Sequence, residues 1–222
     1  MANYSLSDGQ QHSLAIVLRA LATDERAPTS VRDPSIAERV HVADSLAALE
    51  LEEVHKARRL VDIGSGAGFP GLPLAVALPA AEVALVESQG RKCAFLERVC
   101  ADAGIENARV VCARAEEWEE GFEQGDLVVA RAVAAQWVVL EYAAPLLRIG
   151  GLLVDWRGRR AGEEEEQADR AAEILGLQRE RVLQTAPIEG ASDHHLHTFR
   201  KLSPTPARFP RRAGMARKRP LG

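Results

Sequence analysis

The chain has 222 residues, of which 46% are hydrophobic, so it is long enough to form one domain with a sizeable core. It contains no run of about 18 apolar residues, and residues 1–11 lack the basic start and apolar segment of a secretory signal, which predicts a cytoplasmic protein without a membrane span. Cys93, Cys100 and Cys112 show no C-x-x-C spacing, so they indicate neither a disulfide framework nor a zinc site and are predicted to be buried reduced thiols.

The formal net charge of -4 conceals an uneven distribution. Eight of the 28 basic residues lie in residues 200–222, a segment without acidic residues. The other 20 share residues 1–199 with all 32 acidic residues, which gives that part a charge of -12. A basic tail on an acidic body predicts a polyanionic partner, and the alternative is that the tail contacts the body itself.

The first fifty-odd residues predict a helical cap. Apolar residues recur at helical spacing in residues 10–22, and again from Pro34 to about Leu51. In the second stretch His41 and Asp44 are three residues apart, on neighbouring positions of one helix. They form either an acid/base or RNA-facing pair or a local contact that fixes the cap, and the sequence alone favours the local contact.

A strand, a glycine-rich turn and a helix are predicted over residues 59–76, because an apolar run precedes three alternating glycines. Glycine suits a sharp turn whose backbone a ligand approaches closely. Gly66, Gly68 and Gly71 fit the dinucleotide motif G-x-G-x-x-G. Gly64, Gly66 and Gly68 fit instead the G-x-G-x-G of S-adenosylmethionine binders. Asp62 favours the second motif, since this acid would repel a pyrophosphate but could reach a cationic amino-acid group directly or through water.

Further strands alternate with helices along the rest of the chain. Strands are predicted at residues 83–86, 109–112, 126–130 and 152–156, and helices at 91–103, 138–147 and 163–175. Two antiparallel strands at 181–183 and 196–199, joined by a polar loop, close the fold. The pattern predicts an α/β, Rossmann-like class I methyltransferase with a seven-stranded, mostly parallel sheet, since a nicotinamide dehydrogenase would continue with further βαβ units. The predicted parts are a helical cap (1–56), the core (57–203) and the basic tail (204–222).

Residues that follow the strands are candidate ligand contacts, because ligands bind outside the carboxyl ends of parallel strands. Glu87 lies about 20 residues beyond the glycines, where an acid meets ribose hydroxyls under both nucleotide interpretations. Ala115 and Glu116 are placed to meet an adenine. Arg131 stands at the mouth of the site and can bind a carboxylate or phosphate through two hydrogen bonds.

Two groups of residues contain side chains that can bind metal ions, but neither group predicts a metal site. No cysteine or acid cluster completes a set with His194, His195 and His197. The four glutamates at 163–166 suit the positive end of a helix dipole.

Several blocks of sequence together resemble the bacterial small-subunit rRNA guanine-N7 methyltransferases, RsmG, also called glucose-inhibited division protein B. The blocks are Thr29-Ser30-Val31-Arg32-Asp33-Pro34, His41-x-x-Asp44-Ser45-Leu46, Asp62-Ile63-Gly64-Ser65-Gly66-Ala67-Gly68-Phe69-Pro70-Gly71, Glu87-Ser88 with Arg91-Lys92 and Phe95-Leu96, Arg131-Ala132, Pro210-Arg211-Arg212-x-Gly214 and Lys218-Arg219-Pro220-Leu221. The resemblance runs from about Thr29 to the end of the chain. The glycine motif alone is weak evidence for the family, but its combination with the blocks in the loop at residues 29–34 and in the tail is highly specific.

The resemblance implies methyl transfer from S-adenosylmethionine to N7 of a guanine in the decoding-region loop of 16S rRNA, with S-adenosylhomocysteine as product. With the glycine motif, it implies a cofactor site made of Asp62, Gly64, Gly66, Gly68, Phe69, Glu87, Ser88, Gln89, Ala115, Glu116 and Arg131. Of these, Arg131 is the possible catalytic residue. No general base is expected, because N7 already carries a lone pair. The chain departs from the family at Arg157, where a lysine usually precedes the glycine.

The expected partner is 16S rRNA or the small ribosomal subunit, with no metal and no membrane, and the protein is expected to be a monomer. Phosphate contacts are predicted for the basic residues Arg32, Lys92, Arg157, Arg159, Arg160, Arg211, Arg212, Lys218 and Arg219. Removal of residues 208–222 is accordingly expected to spare cofactor binding and to abolish RNA methylation.

Three other functions share parts of this pattern. A methyltransferase for a small molecule or a protein would keep the glycine site but have no use for the basic tail. A nicotinamide oxidoreductase would bind NADH and not S-adenosylhomocysteine. A ribosome-assembly factor would bind RNA without transferring a methyl group.

Overall fold

The computed structural model of the protein describes residues 6–185 and 193–222. Its strands are β1 (Arg59–Ile63), β2 (Glu82–Val86), β3 (Ala108–Val111), β4 (Gly125–Arg131), β5 (Leu147–Arg157), β6 (Leu177–Thr185) and β7 (His194–Lys201). They form one sheet in the order β3-β2-β1-β4-β5-β7-β6, parallel from β3 to β5 and antiparallel beyond. The predicted seven-stranded sheet with its closing antiparallel pair is confirmed. The centre of the polar loop predicted between the last two strands, residues 186–192, lies outside the described residues.

Helices cover both faces of this sheet. They are α1 (Asp8–Thr23), α2 (Pro34–Ala37), α3 (Asp44–Leu46), α4 (Glu52–Lys56), α5 (Gly71–Ala77), α6 (Gly90–Asp102), α7 (Gln136–Leu146), α8 (Gly162–Leu175) and α9 (Met215–Lys218). The second stretch of the cap is helical from Pro34 to Glu50 as predicted, but a π-helical segment separates α2 from α3, and a 3-10 turn follows α3. None of the helices in the described part of the chain has the length and hydrophobicity needed to span a lipid bilayer.

Successive residues of each strand point to opposite faces of the sheet, and both faces are buried under a layer of helices. Leu60 and Leu152 pack in the layer that contains the helical cap, α5 and α6. Val61 and Leu153 pack in the layer that contains α7, α8 and the tail. The sheet is thus enclosed, and the ends of its strands are what remains available to a ligand.

The tail, residues 204–222, folds back onto the second layer. Phe209 and Ala216 are buried there, beside α7. Arg211 donates two hydrogen bonds to Glu141 of α7, one of them to Oε1 at 2.7 Å. The alternative interpretation of the charge pattern, that the tail contacts the acidic body, therefore holds for Arg211. The tail is thus packed on the core, and the expectation that removal of residues 208–222 spares cofactor binding and abolishes RNA methylation stays a prediction.

The structure corrects two predictions that rested on local sequence. Cys93 of α6 and Cys112, directly after β3, are joined by a disulfide bond, whereas Cys100 is a free buried thiol as predicted. Cys93 and Cys112 are 19 residues apart, so the sequence does not show that they are in contact; they meet because α6 packs against β3. In addition, β5 begins at Leu147, where the sequence predicted the end of a helix and a turn, and Gly150 with a φ of +83° lies within this strand.

Candidate functional site

The turn between β1 and α5 has left-handed backbone at all three glycines of the motif. The φ angles are +68° at Gly64, +56° at Gly66 and +98° at Gly68. Such angles favour glycine, which confirms the sharp turn predicted from the sequence; the close approach of a ligand to this backbone stays a prediction. A Cβ on Gly68 would lie 2.2 Å from Leu72, so this glycine permits the packing of α5 and does not clear space for a ligand. A Cβ on Gly66, in contrast, would meet only the carbonyl oxygen of Gly64, at an ordinary contact distance of 3.7 Å.

A first cavity of about 390 Å³ lies at the carboxyl ends of β1, β2 and β3. Its volume falls in the range of about 300–1,000 Å³ that is usual for small-molecule sites. Six residues of the predicted cofactor site line it, namely Gly64, Glu87, Ser88, Gln89, Ala115 and Glu116. The structure therefore brings residues from three strand ends into one site, as the sequence predicted.

Backbone N–H groups hold the two acids of the first cavity in place. Glu87, 5% exposed, accepts from the N–H of Gly66 (3.1 Å) with one carboxylate oxygen and from the N–H of Gln89 (2.8 Å) with the other. Glu116 accepts from the N–H of Gly214 in the tail (3.2 Å). Carboxylate oxygens each accept more than one hydrogen bond, so both acids can also receive a hydroxyl or amino group of a nucleoside.

Sequence reasoning missed several residues of the first cavity. Arg217 of α9 lines it and donates to the carbonyl of Val133 (2.9 Å), and Tyr142 of α7 lines it as well. Lys92, predicted to contact RNA, also borders this cavity, 4.0 Å from Glu87. The basic charge of the tail was visible in the sequence, but the return of the tail to the first cavity was not.

Asp62 lies beneath the glycine turn and not on the wall of the first cavity. It is completely buried and accepts a hydrogen bond from the N–H of Gly71 (3.1 Å) through Oδ2. Its Oδ1 has no hydrogen-bond partner among the described residues. Burial raises the pKa of Asp62 to about 7. Its predicted contact with a cationic amino-acid group stays a prediction.

A second cavity, of about 370 Å³, lies at the carboxyl ends of β4 and β5. Ala132 borders both cavities and has a left-handed backbone, with a φ of +56°. Such a conformation is strained in a residue other than glycine and persists only where the surrounding structure holds it. The wall of the second cavity includes four arginines, Arg131, Arg157, Arg159 and Arg160.

Arg131 faces the helical cap and not the first cavity. Its Nη1 donates to Asp44 Oδ2 (2.9 Å), and its Nη2 lies 3.3 Å from His41 Nδ1. The His41 ring in turn stacks on Phe69 of the glycine turn, with 4.9 Å between the ring centroids. His41 and Asp44 therefore meet through Arg131, a tertiary contact that the local interpretation of this pair did not predict.

Asp44 also joins the cap to β5 and β7. Its Oδ1 lies 3.1 Å from Nδ1 of His194, and its backbone carbonyl accepts from Trp156 Nε1 (2.9 Å). His195 contacts the carbonyl of Gly158 (3.0 Å). Within residues 6–185 and 193–222 no group of three or more His, Cys, Asp or Glu side chains has an arrangement that could hold a metal ion.

Some of the basic residues predicted to contact RNA are engaged within the protein. Arg32 donates to the carbonyls of Asp24 (2.9 Å) and Glu25 (3.2 Å) at the end of α1. Arg160 forms two hydrogen bonds with Glu165 (2.9 and 2.7 Å). The side chain of Arg159 is 85% exposed. The basic residues Arg212, Lys218 and Arg219 of the tail are exposed as well.

The sequence pattern of the rRNA small subunit methyltransferase G family, GidB, matches residues 14–192. The chain belongs to the rRNA small subunit methyltransferase G family. A protein of this name from Chloroflexus aggregans is 41% identical over 196 residues, which cover 87% of this chain and 82% of that protein. Another, from Syntrophomonas wolfei, is 41% identical over 183 residues, or 82% of this chain and 85% of that protein. The resemblance seen in the sequence blocks is thereby confirmed.

Solved structures place this family member in the class I methyltransferase fold. The mitomycin 7-O-methyltransferase MmcR has a TM-score of 0.60 at 18% identity, covering 77% of this chain and 55% of that chain. Fibrillarin of Aeropyrum pernix, solved with S-adenosyl-L-methionine, has a TM-score of 0.57 at 19% identity, covering 71% and 72%. The predicted fold class is confirmed.

Proposed function

We propose that this member of the rRNA small subunit methyltransferase G family transfers the methyl group of S-adenosylmethionine to N7 of a guanine in the decoding-region loop of 16S rRNA. The observation that carries the proposal is the match of most of the chain to the family. The two adjoining cavities support it, because one is lined by acids placed for a nucleoside and the other by arginines placed for RNA.

The residues of the first cavity fit S-adenosylmethionine, which supplies an electrophilic methyl group on a sulfonium when it is bound. Glu87 would accept from the ribose hydroxyls, and Ala115 and Glu116 would contact the adenine. The unpaired Oδ1 of Asp62 would favour the cationic amino group, directly or through water. Gly66 would leave room for the ligand beside the turn.

The reaction asks the chain for alignment and for exclusion of water. The N7 lone pair attacks the methyl carbon, the carbon–sulfur bond breaks, and its electron pair stays on the sulfur. No proton needs to leave N7, so no general base is assigned. We assign Arg131 to positioning, because Asp44 and His41 hold its guanidinium at the rim of the second cavity.

RNA would be held mainly through its phosphates, by the exposed basic residues Arg159, Arg212, Lys218 and Arg219. Arg157 lines the second cavity and donates to the carbonyl of Ala134 (2.8 Å), so its predicted phosphate contact stays a prediction. Arg32 and Arg211 are bound to other parts of the chain, so their contribution would be to the folded shape. Ribosomal RNA is a cytoplasmic substrate, and we place the enzyme there as a monomer. Displacement at an existing lone pair needs no metal.

The proposal is tested by transfer of tritiated methyl to small ribosomal subunits that lack the modification, and to free 16S rRNA, followed by mapping of the modified base. We expect label at N7 of a single guanine. Glu87→Gln should weaken S-adenosylhomocysteine binding about tenfold or more, since it removes a charged acceptor. Glu82→Gln, at the exposed opposite end of β2, is the matched control and should bind normally. Absence of RNA labelling by a protein that binds S-adenosylhomocysteine would contradict the proposal.

The alternative is a methyltransferase of the same fold that acts on a small molecule or a protein. It would bind S-adenosylhomocysteine equally well, but its affinity for RNA would be weak and nearly independent of salt. Titration of RNA binding against salt concentration separates the two functions.

A further inference from the structure

The second cavity contains a buried hydrogen-bond donor that the described chain does not use. His197 of β7 lines this cavity and is 2% exposed. Its Nε2 has no hydrogen-bond partner within residues 6–185 and 193–222. Buried polar atoms are nearly always paired, so an unpaired one in the wall of a cavity points to a ligand atom that completes it.

The other ring nitrogen of His197 decides where its proton lies. Arg179 Nη1 is 2.6 Å from His197 Nδ1. A guanidinium can only donate, so Nδ1 accepts and carries no proton. Burial, and after it the charge of Arg179, lower the pKa of His197 to about 4. Near pH 7 the ring is therefore neutral, with its single proton on Nε2.

Arg179 is itself held on several sides, which fixes the imidazole ring. Its Nε donates to Asp169 Oδ1 (2.7 Å), and its Nη2 donates to the backbone carbonyl of Glu165 (3.0 Å). The guanidinium also lies 4.7 Å from the centroid of the Phe199 ring. The Nε2–H of His197 is thus a donor whose direction is set before any ligand arrives.

Resting on the proposed function, we infer that the second cavity receives the target guanine and that His197 selects it by donating from Nε2 to guanine O6. On the edge that carries N7, guanine presents two acceptors, N7 and O6. Adenine presents an amino donor in place of O6, which would face the imidazole N–H. One hydrogen bond to O6 leaves the N7 lone pair free to attack the methyl carbon. His197 is accordingly a specificity-determining residue.

The residue opposite His197 supports this assignment. Asp155 pairs with His197 across β5 and β7, so their side chains emerge on the same face of the sheet. Its Oδ2 accepts from Gln136 Nε2 (3.1 Å), whereas its Oδ1 is buried with no partner in the described chain. Asp155 is not itself part of the cavity wall, and burial raises its pKa to about 7. When it is ionised, an unpaired acceptor and an unpaired donor on adjacent strands complement the neighbouring N1–H and O6 of guanine. Adenine has the opposite polarity at both positions.

The position of the second cavity also suits a base about to be methylated. It adjoins the first cavity, and Ala132 is common to both. A base whose O6 points to His197 has N7 next to that oxygen, on the edge where the methyl group must arrive. Arg159 in the wall of the cavity is exposed and available to a phosphate beside an unstacked nucleotide, whereas Arg157 donates to the carbonyl of Ala134 (2.8 Å).

The test compares two substrates and two variants. Small subunits are reconstituted with ligated 16S rRNA that carries at the target either guanine or 2-aminopurine, which keeps N7 but lacks O6 and the N1 hydrogen. His197→Leu removes the donor, and His197→Gln retains an N–H near the Nε2 position. We expect wild-type kcat/KM to be about 10- to 100-fold higher for guanine than for 2-aminopurine. His197→Leu should lose this preference through a lower rate on guanine alone, and His197→Gln should restore part of it.

Affinity for S-adenosylhomocysteine, which binds in the first cavity, reports whether each variant is folded. If the role of His197 is purely structural, His197→Leu lowers the rates on guanine and on 2-aminopurine equally, and the preference for guanine stays unchanged. That result would overturn the inference, while the proposed function would stand. If His197→Leu does not fold, the wild-type comparison decides, because equal rates on the two bases would overturn the inference. Methylation of neither substrate by wild-type protein would overturn the proposed function, and the inference with it.

Discussion

Asp44 accepts a hydrogen bond from Arg131 across 2.9 Å, although 87 residues separate them in the chain. The contact connects the helical cap to the end of β4, where the two cavities meet. Asp44 is 3% exposed, and through His194 and Trp156 it also connects the cap to β7 and β5. One residue of the cap, through its carboxylate and its backbone carbonyl, thus contacts groups from three strands of the core.

Asp44→Asn should reduce methyl transfer without reducing affinity for the donor. The guanidinium of Arg131 loses its charged partner but keeps a neutral acceptor, so we expect a methyl-transfer rate lower by about tenfold or more. The free energy of unfolding should fall by about 1–3 kcal/mol. The affinity for S-adenosylhomocysteine should stay within about twofold of wild type. Asp126→Asn is the control, since Asp126 binds Arg148 at the opposite end of β4. A comparable loss of rate in Asp126→Asn would indicate a general loss of stability.

Two adjacent arginines of the tail should differ in their effect on stability. Arg211→Ala leaves the carboxylate of Glu141, 2% exposed, without its partner and should cost about 2–4 kcal/mol of unfolding free energy. Arg212→Ala removes the same charge from an exposed position and should change it by less than about 0.5 kcal/mol. Urea unfolding of the two variants provides the measurement, and equal midpoints would show that the ion pair does not hold the tail.

The strand order and the first cavity were predictable because their signals are local. Glycines, an acid such as Glu87 after a strand, and alternating helices each occupy a short stretch of sequence. The neighbours of Asp44 were not predictable, since they lie on β4, β5 and β7 and meet only in the folded sheet. The proton on His197 depends likewise on Arg179 of another strand, and the partner of Cys93 on the packing of α6 against β3.

The carboxyl group of Asp62 should make stability depend on pH. The unfolded chain releases this proton near pH 4, whereas the folded protein holds it up to about pH 7. The contribution therefore favours folding below about pH 4 and is lost as the pH rises to 7. Relative to wild type, Asp62→Asn should gain up to about 4 kcal/mol of unfolding free energy between pH 4 and pH 8. Urea unfolding at both pH values measures the gain, and a constant difference would contradict the buried, protonated acid.

Binding of S-adenosylhomocysteine should release a proton near pH 7 if its cationic amino group approaches Asp62. A nearby positive charge lowers the pKa of a carboxyl group, so the proton leaves when the ligand binds. Calorimetry in two buffers of different ionisation enthalpy counts the released protons. Asp62→Asn should abolish the release. Equal proton counts for the two proteins would place the amino group elsewhere.

Replacement of Arg212, Lys218 and Arg219 by glutamine should weaken RNA binding through the loss of phosphate contacts. The slope of log affinity against log salt concentration should become shallower by about two to three. Binding of S-adenosylhomocysteine should be unchanged, because Arg217 remains in the wall of the first cavity and the N–H of Gly214 still donates to Glu116. An unaltered slope would exclude the tail from the RNA contact.

Ala132, whose side chain is only a methyl group, borders both cavities. Under the proposed function, the methyl carbon would pass from sulfur to nitrogen near this short side chain, and the space beside it would limit the angle of attack. Displacement at carbon requires the sulfur, the methyl carbon and N7 to lie on one line. The backbone turn after β4, which places Ala132, would then help to set this alignment. A bulkier residue there would obstruct the transfer even with both ligands fully bound.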